Sequence, residues 1–342
     1  MTVSISTRRR VGRTSLELPA FGFGAAHLGE LYGKVDEAQS RATLEAAWDA
    51  GVRFYDTAPW YGRGLSEHRL GGFLRQLPRD QFIVNTKVGR ILRRPDDPAN
   101  FSTAPWAGGL PFEVVFDYSY DGIMHAYEQV LQRLALNTVD SLVIHDLDSM
   151  FHDAEASAVF MKQLTGTGMK ALEELKRSGD IKAVGVGNNV PGNLDEMLQE
   201  IDVDFAIVAV PYTLLDQSVL DTSMKRCLDK GIGVIIGAPF ASGILVTGSG
   251  KGAMYAYDKA PPEVQAKVRG IEEVCAAHAV SMPAAALQFV LAHPAVVSVI
   301  PGAAKPSEVQ ANVAALANRI PAAFWADLKA RGLMHPEAPV PA

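Results

Sequence analysis

Four residue types able to move protons stand at or just past the ends of short apolar runs. Asp56 ends RFYD, Tyr61 follows on a Gly-flanked, turn-prone loop, Lys87 ends FIVNTK, and His145 ends LVIH with Asp146 beside it. Each has a bland reading alone: an Asp at a strand end is often a cap, and a loop Tyr a surface aromatic. Together they form an acid–base set. A free phenol titrates near ~10, too high for ready exchange at neutrality. An ammonium ~4 Å away, at an effective dielectric of ~20, favours phenolate by ~4 kcal/mol, or roughly three units. On this reading Lys87 lowers the Tyr61 phenol, Asp56 keeps Lys87 charged, and His145 hydrogen-bonds the substrate oxygen. Such a set protonates a carbonyl during reduction or deprotonates an alcohol during oxidation. It contains no hydride source, so a cofactor must supply one. A Schiff-base role for Lys87, as in barrel aldolases or isomerases, would need that lysine uncharged, and Asp56 argues against it.

These residues need a scaffold that gathers strand ends. Eight strand-like runs alternate with helical patterns: LPAFGFGAA, RFYDTA, FIVNTK, DSLVIHD, IKAVGVGN, FAIVAV, GVIIGAPF and VVSVIPG. Strands alternating with helices imply parallel pairing through right-handed crossovers, and eight such units close into a (β/α)8 TIM barrel. An open doubly wound sheet would carry a Gly-rich phosphate loop after its first strand, and FGFGAAHLG offers no GxGxxG. The chain therefore reads as one domain over 1–342, with the barrel at about 18–318 and a C-terminal helix and tail at 321–342. Residues 3–18 are expected to form an N-terminal β-hairpin under the barrel. Asp36 with Gln39, Ser66, and Ser307 with Gln310 have N-cap spacing. Long aromatic-bearing loops at 88–117 and 239–261 belong to the C-terminal face and are expected to order over a ligand. The last residues, MHPEAPVPA, are expected to fray.

The totals restrict the function classes. With 48% apolar residues, 20% charged residues and a net charge of −6, the chain can bury a large core. The net charge argues against nucleic acid or an anionic membrane as the main partner, and the one basic run, Arg8-Arg9-Arg10, reads as the solvated start of the N-terminal hairpin. No apolar run reaches the ~18 residues needed to span a bilayer. Cys227 and Cys275 lie in helical patterns and suggest inert thiols in a reducing cytoplasm. A small-molecule substrate is the expected partner, with no nucleic acid and no membrane, for a monomer or weak homo-oligomer.

From Leu18 to about Leu316 the sequence resembles the aldo-keto reductase family, through FYDTA–WYG, NTKVG, LVIHD, KAVGVGN and VIPGA. The resemblance matches Asp56, Tyr61, Lys87 and His145 to that family's catalytic tetrad and implies an extended nicotinamide dinucleotide as cofactor. It places cofactor contacts at Asn188 and Asn189, at Ala238, Pro239, Phe240, Ser242 and Gly243, and at Gly302, Lys305, Glu308 and Asn312. Ser307 opens a helix there whose free N–H groups would favour phosphate. Lys305 favours NADP(H), while NAD(H) stays open because a neighbouring position that is often basic in relatives is Ala304. The usual serine after the fifth strand is replaced in GVGNN, and the aromatic of the seventh strand appears as Gly237.

FDYSYDG, IHDLD and GAPFASGIL resemble the branch holding aldose and pyridoxal dehydrogenases, which implies oxidation at a sugar's anomeric carbon or of a cyclic alcohol. Trp60, Trp106, Phe112 and Phe116 are candidate pocket walls, and Asp146 a candidate acceptor for substrate hydroxyls. A broad NADPH-dependent ketone or aldehyde reductase, and a cofactor-sensing module with little turnover, are the competing functions.

Overall fold

The fold is described from a computed structural model, covering residues 3–31, 33–250, 252–256 and 258–341. The eight runs form the barrel strands β3 (Phe23–Gly24), β4 (Phe54–Asp56), β5 (Ile83–Val88), β8 (Ser141–His145), β9 (Ala183–Asn188), β10 (Phe205–Val208), β11 (Gly233–Gly237) and β14 (Val296–Ile300). They lie side by side in chain order, all parallel. Bridges between Phe21 and Val299 and between Gly24 and Gly302 join the first strand to the last. The eight-stranded sheet is thereby closed on itself as a (β/α)8 barrel.

Crossovers between these strands run through α1 (Glu37–Asp49), α2 (Leu65–Leu74), α3 (Tyr120–Leu134), α4 (Ala154–Gln163) continued into α5 (Met169–Ser178), α6 (Asn193–Glu200) and α7 (Lys225–Lys230). Past β11 come α8 (Ile244–Thr247), α9 (Pro262–Ala277) and α10 (Met282–Ala292), and after β14 come α11 (Pro306–Ala317) and α12 (Ala322–Ala330). Among the described residues no single helix is long and apolar enough to cross a membrane. Cys227 and Cys275 are free, buried thiols, which burial pushes up to about 12 and about 11.

The hairpin β1 (Arg8–Arg10) with β2 (Glu17–Pro19) plugs the N-terminal mouth. Val11, Leu16 and Leu18 join Phe54, Val143, Phe205, Ile235 and Val297 in one apolar cluster inside the barrel. Arg9 donates from Nη1 to the carbonyls of Leu291 (2.9 Å) and Val296 (2.6 Å), which ties the plug to the last strand. With that end filled by side chains, the open mouth is at the C-terminal strand ends.

Several local expectations are corrected. Asp36 caps α1 by accepting from Gln39 N at 2.7 Å, but Gln39 sends its side chain to the Ala304 carbonyl rather than back to the cap. Ser66 is not an N-cap: α2 starts at Leu65 after a left-handed Gly64, and the Ser66 hydroxyl donates to Ala25 O while meeting Thr57 Oγ1. Ser307 is not a cap either, because Pro306 opens α11 with Lys305 before it. The 88–117 segment is no plain loop but contains an antiparallel ribbon of β6 (Arg90–Arg93) and β7 (Glu113–Phe116). The 239–261 segment contains α8 and a small ribbon of β12 (Met254–Tyr255) and β13 (Asp258–Lys259). The tail is packed rather than frayed: Met334 and Ala338 are buried, and His335 N donates to Gln217 Oε1.

Candidate active site

Strand register explains why three of the four candidates meet. Asp56 lies opposite Asn85 on β5, and Lys87 lies two residues further on, so Asn85 and Lys87 share one face and both reach the acid. Lys87 Nζ donates to Asp56 Oδ1 (3.0 Å) and Oδ2 (2.8 Å) and to Thr57 O (2.7 Å). Asn85 donates to Asp56 Oδ1 and accepts from Ser141 on β8. Between them, Thr86 turns outward and bonds to Glu67, which Arg133 pairs in turn. Burial pushes the Asp56 carboxyl up, and the charge and hydrogen bonds of Lys87 and Asn85 pull it back.

His145 enters from β8, two residues beyond Val143, which lies in the barrel's interior cluster. Tyr118 fixes the backbone there by donating to the His145 carbonyl at 2.8 Å. Tyr61 arrives on the loop after β4. A side chain at Gly29 would strike the backbone of Tyr61 at 2.4 Å, and one at Gly62, whose φ is +63°, would meet Gly29 at 2.7 Å. Main chain therefore packs on main chain at this point, and two glycines are required. The Tyr61 ring stands edge-on to His145, with centroids 6.1 Å apart, and Lys87 Nζ lies 4.9 Å from its centre.

The electrostatics reverse one expectation. The Tyr61 phenol is raised well above its ordinary value: burial is the main cause, followed by the charges of Asp56 and Asp146, with Arg90 opposing. Lys87 spends its donors on Asp56 and Thr57, and the carboxylate cancels its field at the phenol. Tyr61 is thus a neutral phenol and a proton donor. His145 is held well below the usual imidazole range by burial and then by Arg90 and Lys87, so its ring is neutral.

Arg90 was not singled out in the sequence, although it stands three residues past Lys87. It is among the largest fully buried side chains and pairs with Asp146 at 2.8 Å. Its guanidinium faces the rings of Phe151 (4.2 Å), Trp60 (5.0 Å) and Phe116 (5.1 Å). Phe151 was also missed, and only the fold brings it beside Trp60. Trp106 is buried against Trp60 (5.5 Å) and Tyr61 (6.0 Å). Phe112 sits apart on the surface, 36% exposed. Asp146 does not face open space; it lies against Arg90, His145 and Asn189.

The residues named for a cofactor gather on the neighbouring strand ends, since β11 pairs with both β10 and β14. Ala238, Ala241, Ser242 and Gly243 all have positive φ, a concentration of left-handed backbone that suits close approach to a phosphate group. Pro239 and Phe240 are buried between them. Past β14, Asn312 is buried and donates to Gly302 O at 3.3 Å, while Glu308 accepts from Ala304 N at 2.8 Å. Lys305, half exposed, stands 3.7 Å from Glu308. The side chain of Asn188 lies outside the described residues. A bent cradle, a helix N-terminus and buried amide groups on adjacent strand ends fit a nicotinamide dinucleotide.

A closed parallel barrel with this mouth defines the class, and comparison with known proteins agrees. The model of the aldo/keto reductase family matches residues 20–331, and the chain belongs to that family. It is similar to a pyridoxal 4-dehydrogenase of Microbacterium luteolum, at 37% identity over 98% of this chain and 100% of that protein. It is also similar to a D-threo-aldose 1-dehydrogenase of a Pseudomonas species, at 37% identity over 94% of this chain and 97% of that protein. An aldo-keto reductase of Bacillus halodurans, solved in its holo form, shares the fold, with a TM-score of 0.73 at 23% identity over 96% of this chain and 97% of that one. The protein is an NAD(P)-dependent oxidoreductase that interconverts alcohols and carbonyls.

Proposed function

We propose that the enzyme oxidises a cyclic alcohol, such as an aldose at its anomeric carbon, with Tyr61 as the acid–base residue. The observation that carries this reading is the convergence of Tyr61, His145 and the Lys87–Asp56 pair at one barrel mouth. His145 positions the substrate oxygen beside the phenol, and Tyr61 exchanges the proton with that oxygen. The Lys87–Asp56 pair fixes the phenol's surroundings and leaves no net charge beneath it. A nicotinamide held beside that oxygen would supply or take up the hydride. Asn189, the 238–243 turn, and the Gly302–Asn312 segment would hold the dinucleotide. Trp60, Trp106 and Phe116 would wall the pocket beside the buried Arg90. The sugar and pyridoxal names of the two 37% identical relatives support the substrate class.

For the cofactor, Lys305 would receive a 2′-phosphate, so NADP(H) is favoured. Glu308 beside it keeps that preference small and leaves NAD(H) usable. The decisive experiment follows the nicotinamide absorbance band with both cofactors against aldoses, pyridoxal, secondary alcohols and ketones, in each direction. Turnover of aldoses or cyclic alcohols is expected. Turnover of open-chain ketones alone would overturn the substrate class, and cofactor binding without any turnover would overturn the enzymatic reading.

A further inference from the structure

We propose that Arg90 and Trp106 select the substrate by donating hydrogen bonds to a hydroxyl oxygen next to the reacting carbinol. This rests on the functional reading above and narrows its substrate class to neutral cyclic polyols. An arginine carries five N–H donors in one plane and no acceptor. Nη2 of Arg90 donates to Asp146 Oδ2 at 2.8 Å, while Nε and Nη1 are buried and have no acceptor among the described residues. The indole Nε1 of Trp106 is likewise buried without an acceptor. Exposure is 1% for Arg90 and 3% for Trp106.

Both side chains border the proposed acid–base residue. The Trp60 ring centre lies 5.0 Å from the Arg90 guanidinium and 5.5 Å from the Trp106 ring, and Trp106 stands 6.0 Å from the Tyr61 ring. Folded proteins seldom leave buried N–H groups without acceptors, so two such side chains beside one reaction centre mark partners that arrive with the substrate. Phe151 is the cover. Its ring lies 4.2 Å from the guanidinium and is only half-buried, in the turn after β8, and the substrate ring takes its place. Charge then sets the kind of oxygen. Asp146 already matches Arg90, Asp56 matches Lys87, and Asp148 is a further buried carboxylate in the field of Asp146. Arg63, a half-buried cation against Trp60, spends its donors on backbone carbonyls. An added substrate anion would meet the unmatched Asp148, whereas a hydroxyl oxygen accepts from the free donors and brings no charge.

The test measures binding to the full-length protein by calorimetry, with NADPH and, separately, NADH present so that no alcohol is oxidised. The probes are cyclohexanol, cyclohexane-1,2-diol and 2-hydroxycyclohexanecarboxylate, which share a ring carbinol and differ at one neighbouring position. Wild type should bind the diol at least about tenfold tighter than cyclohexanol, and the carboxylate no tighter than cyclohexanol. Trp106→Phe keeps a ring and loses the N–H, while Arg90→Lys keeps the charge opposite Asp146 and loses the planar donors. Each should cut the preference for diol over cyclohexanol by about three- to tenfold. A merely structural role would weaken both probes alike and leave their ratio unmoved.

Four results would overturn the proposal: no saturable binding of the diol, no preference for it over cyclohexanol, tighter binding of the carboxylate, or an unchanged ratio in either variant. Should Arg90→Lys fail to fold, Trp106→Phe carries the same reading. A wild-type protein that shows the diol preference yet turns over no alcohol or carbonyl would defeat the functional reading alone, because the preference is read without turnover.

Discussion

Lys87 and Asp56 meet across adjacent parallel strands, with one ammonium donating to both carboxylate oxygens and to the next backbone carbonyl. Both side chains are 3% exposed. Breaking such a pair from one side strands a buried charge, so Asp56→Ala should lower unfolding free energy by about 3–5 kcal/mol. Removing both charges, in Asp56→Ala with Lys87→Met, should cost less than the losses of Asp56→Ala and Lys87→Met summed. Urea unfolding of the four proteins provides the comparison, and strictly additive losses would contradict the coupling.

Replacing Tyr61 by Phe keeps the ring against His145 and Trp106 and removes only the hydroxyl. Turnover should fall by at least ~10² while dinucleotide affinity stays nearly constant. The raised phenol gives a further sign. Carbonyl reduction needs the protonated phenol and should stay level from neutral to mildly alkaline pH, whereas alcohol oxidation needs the proton gone and should climb with pH. Oxidation that levelled off below neutrality would show a phenol lowered, not raised.

Arg63 ties down the 88–117 segment. Its guanidinium donates to the carbonyls of Phe112 (3.0 Å), Ala104 (3.2 Å) and Thr103 (3.5 Å), and Trp106 follows directly in that segment. In Arg63→Ala the wall formed by Trp106 should loosen, raising substrate KM by about five- to tenfold with kcat within about twofold. A fall in kcat with unchanged KM would place the effect on Tyr61 instead.

His293 connects stability to pH. It is buried, its Nδ1 accepts from Ala295 N at 3.2 Å, and burial holds it down to about 4. The unfolded chain takes up this proton below about 6.5, while the folded chain refuses it until about 4. Stability contributed by the neutral ring is therefore complete above about 6.5 and declines as pH falls towards 4, by at most about 3 kcal/mol. His293→Gln should flatten that part of the stability–pH curve.

Lys305 is the test of cofactor preference. Lys305→Ala should weaken NADP(H) binding by about three- to tenfold and leave NAD(H) unchanged or slightly improved. Fluorescence titration with each dinucleotide measures this, and equal losses for both would dissociate Lys305 from a 2′-phosphate.

The barrel was legible because its strands are separate apolar runs, each followed by a helical pattern, and the period-two rule carries Lys87 to the same face as Asn85. Asp56, Tyr61, Lys87 and His145 were legible because each has its own chemistry at or near a strand end. Arg90 and Phe151 were not: an arginine after a glycine reads as solvated, and only the ribbon of β6 and β7 folds it inward. The raised phenol of Tyr61 was missed because a pairwise view of Lys87 and the phenol left out burial, the main cause, and the charges of Asp56 and Asp146 on the phenol itself. Ser66 and Ser307 have cap spacing, yet Gly64 and Pro306 decide where those helices begin. The tail read as frayed for its prolines, but Met334 and Ala338 find apolar cover that sequence spacing does not reveal.

The backbone contact between Gly29 and Gly62 has a consequence for divergence. Tyr61 is placed by main chain, so substitutions among Trp60, Trp106 and Phe116 can change what reaches the phenol without moving it. Chemistry and selectivity are then inherited separately. Grafting the 88–117 segment from a relative would transplant a preference without shifting Tyr61, whereas a side chain added at Gly29 or Gly62 would displace Tyr61 and lower turnover whatever the substrate.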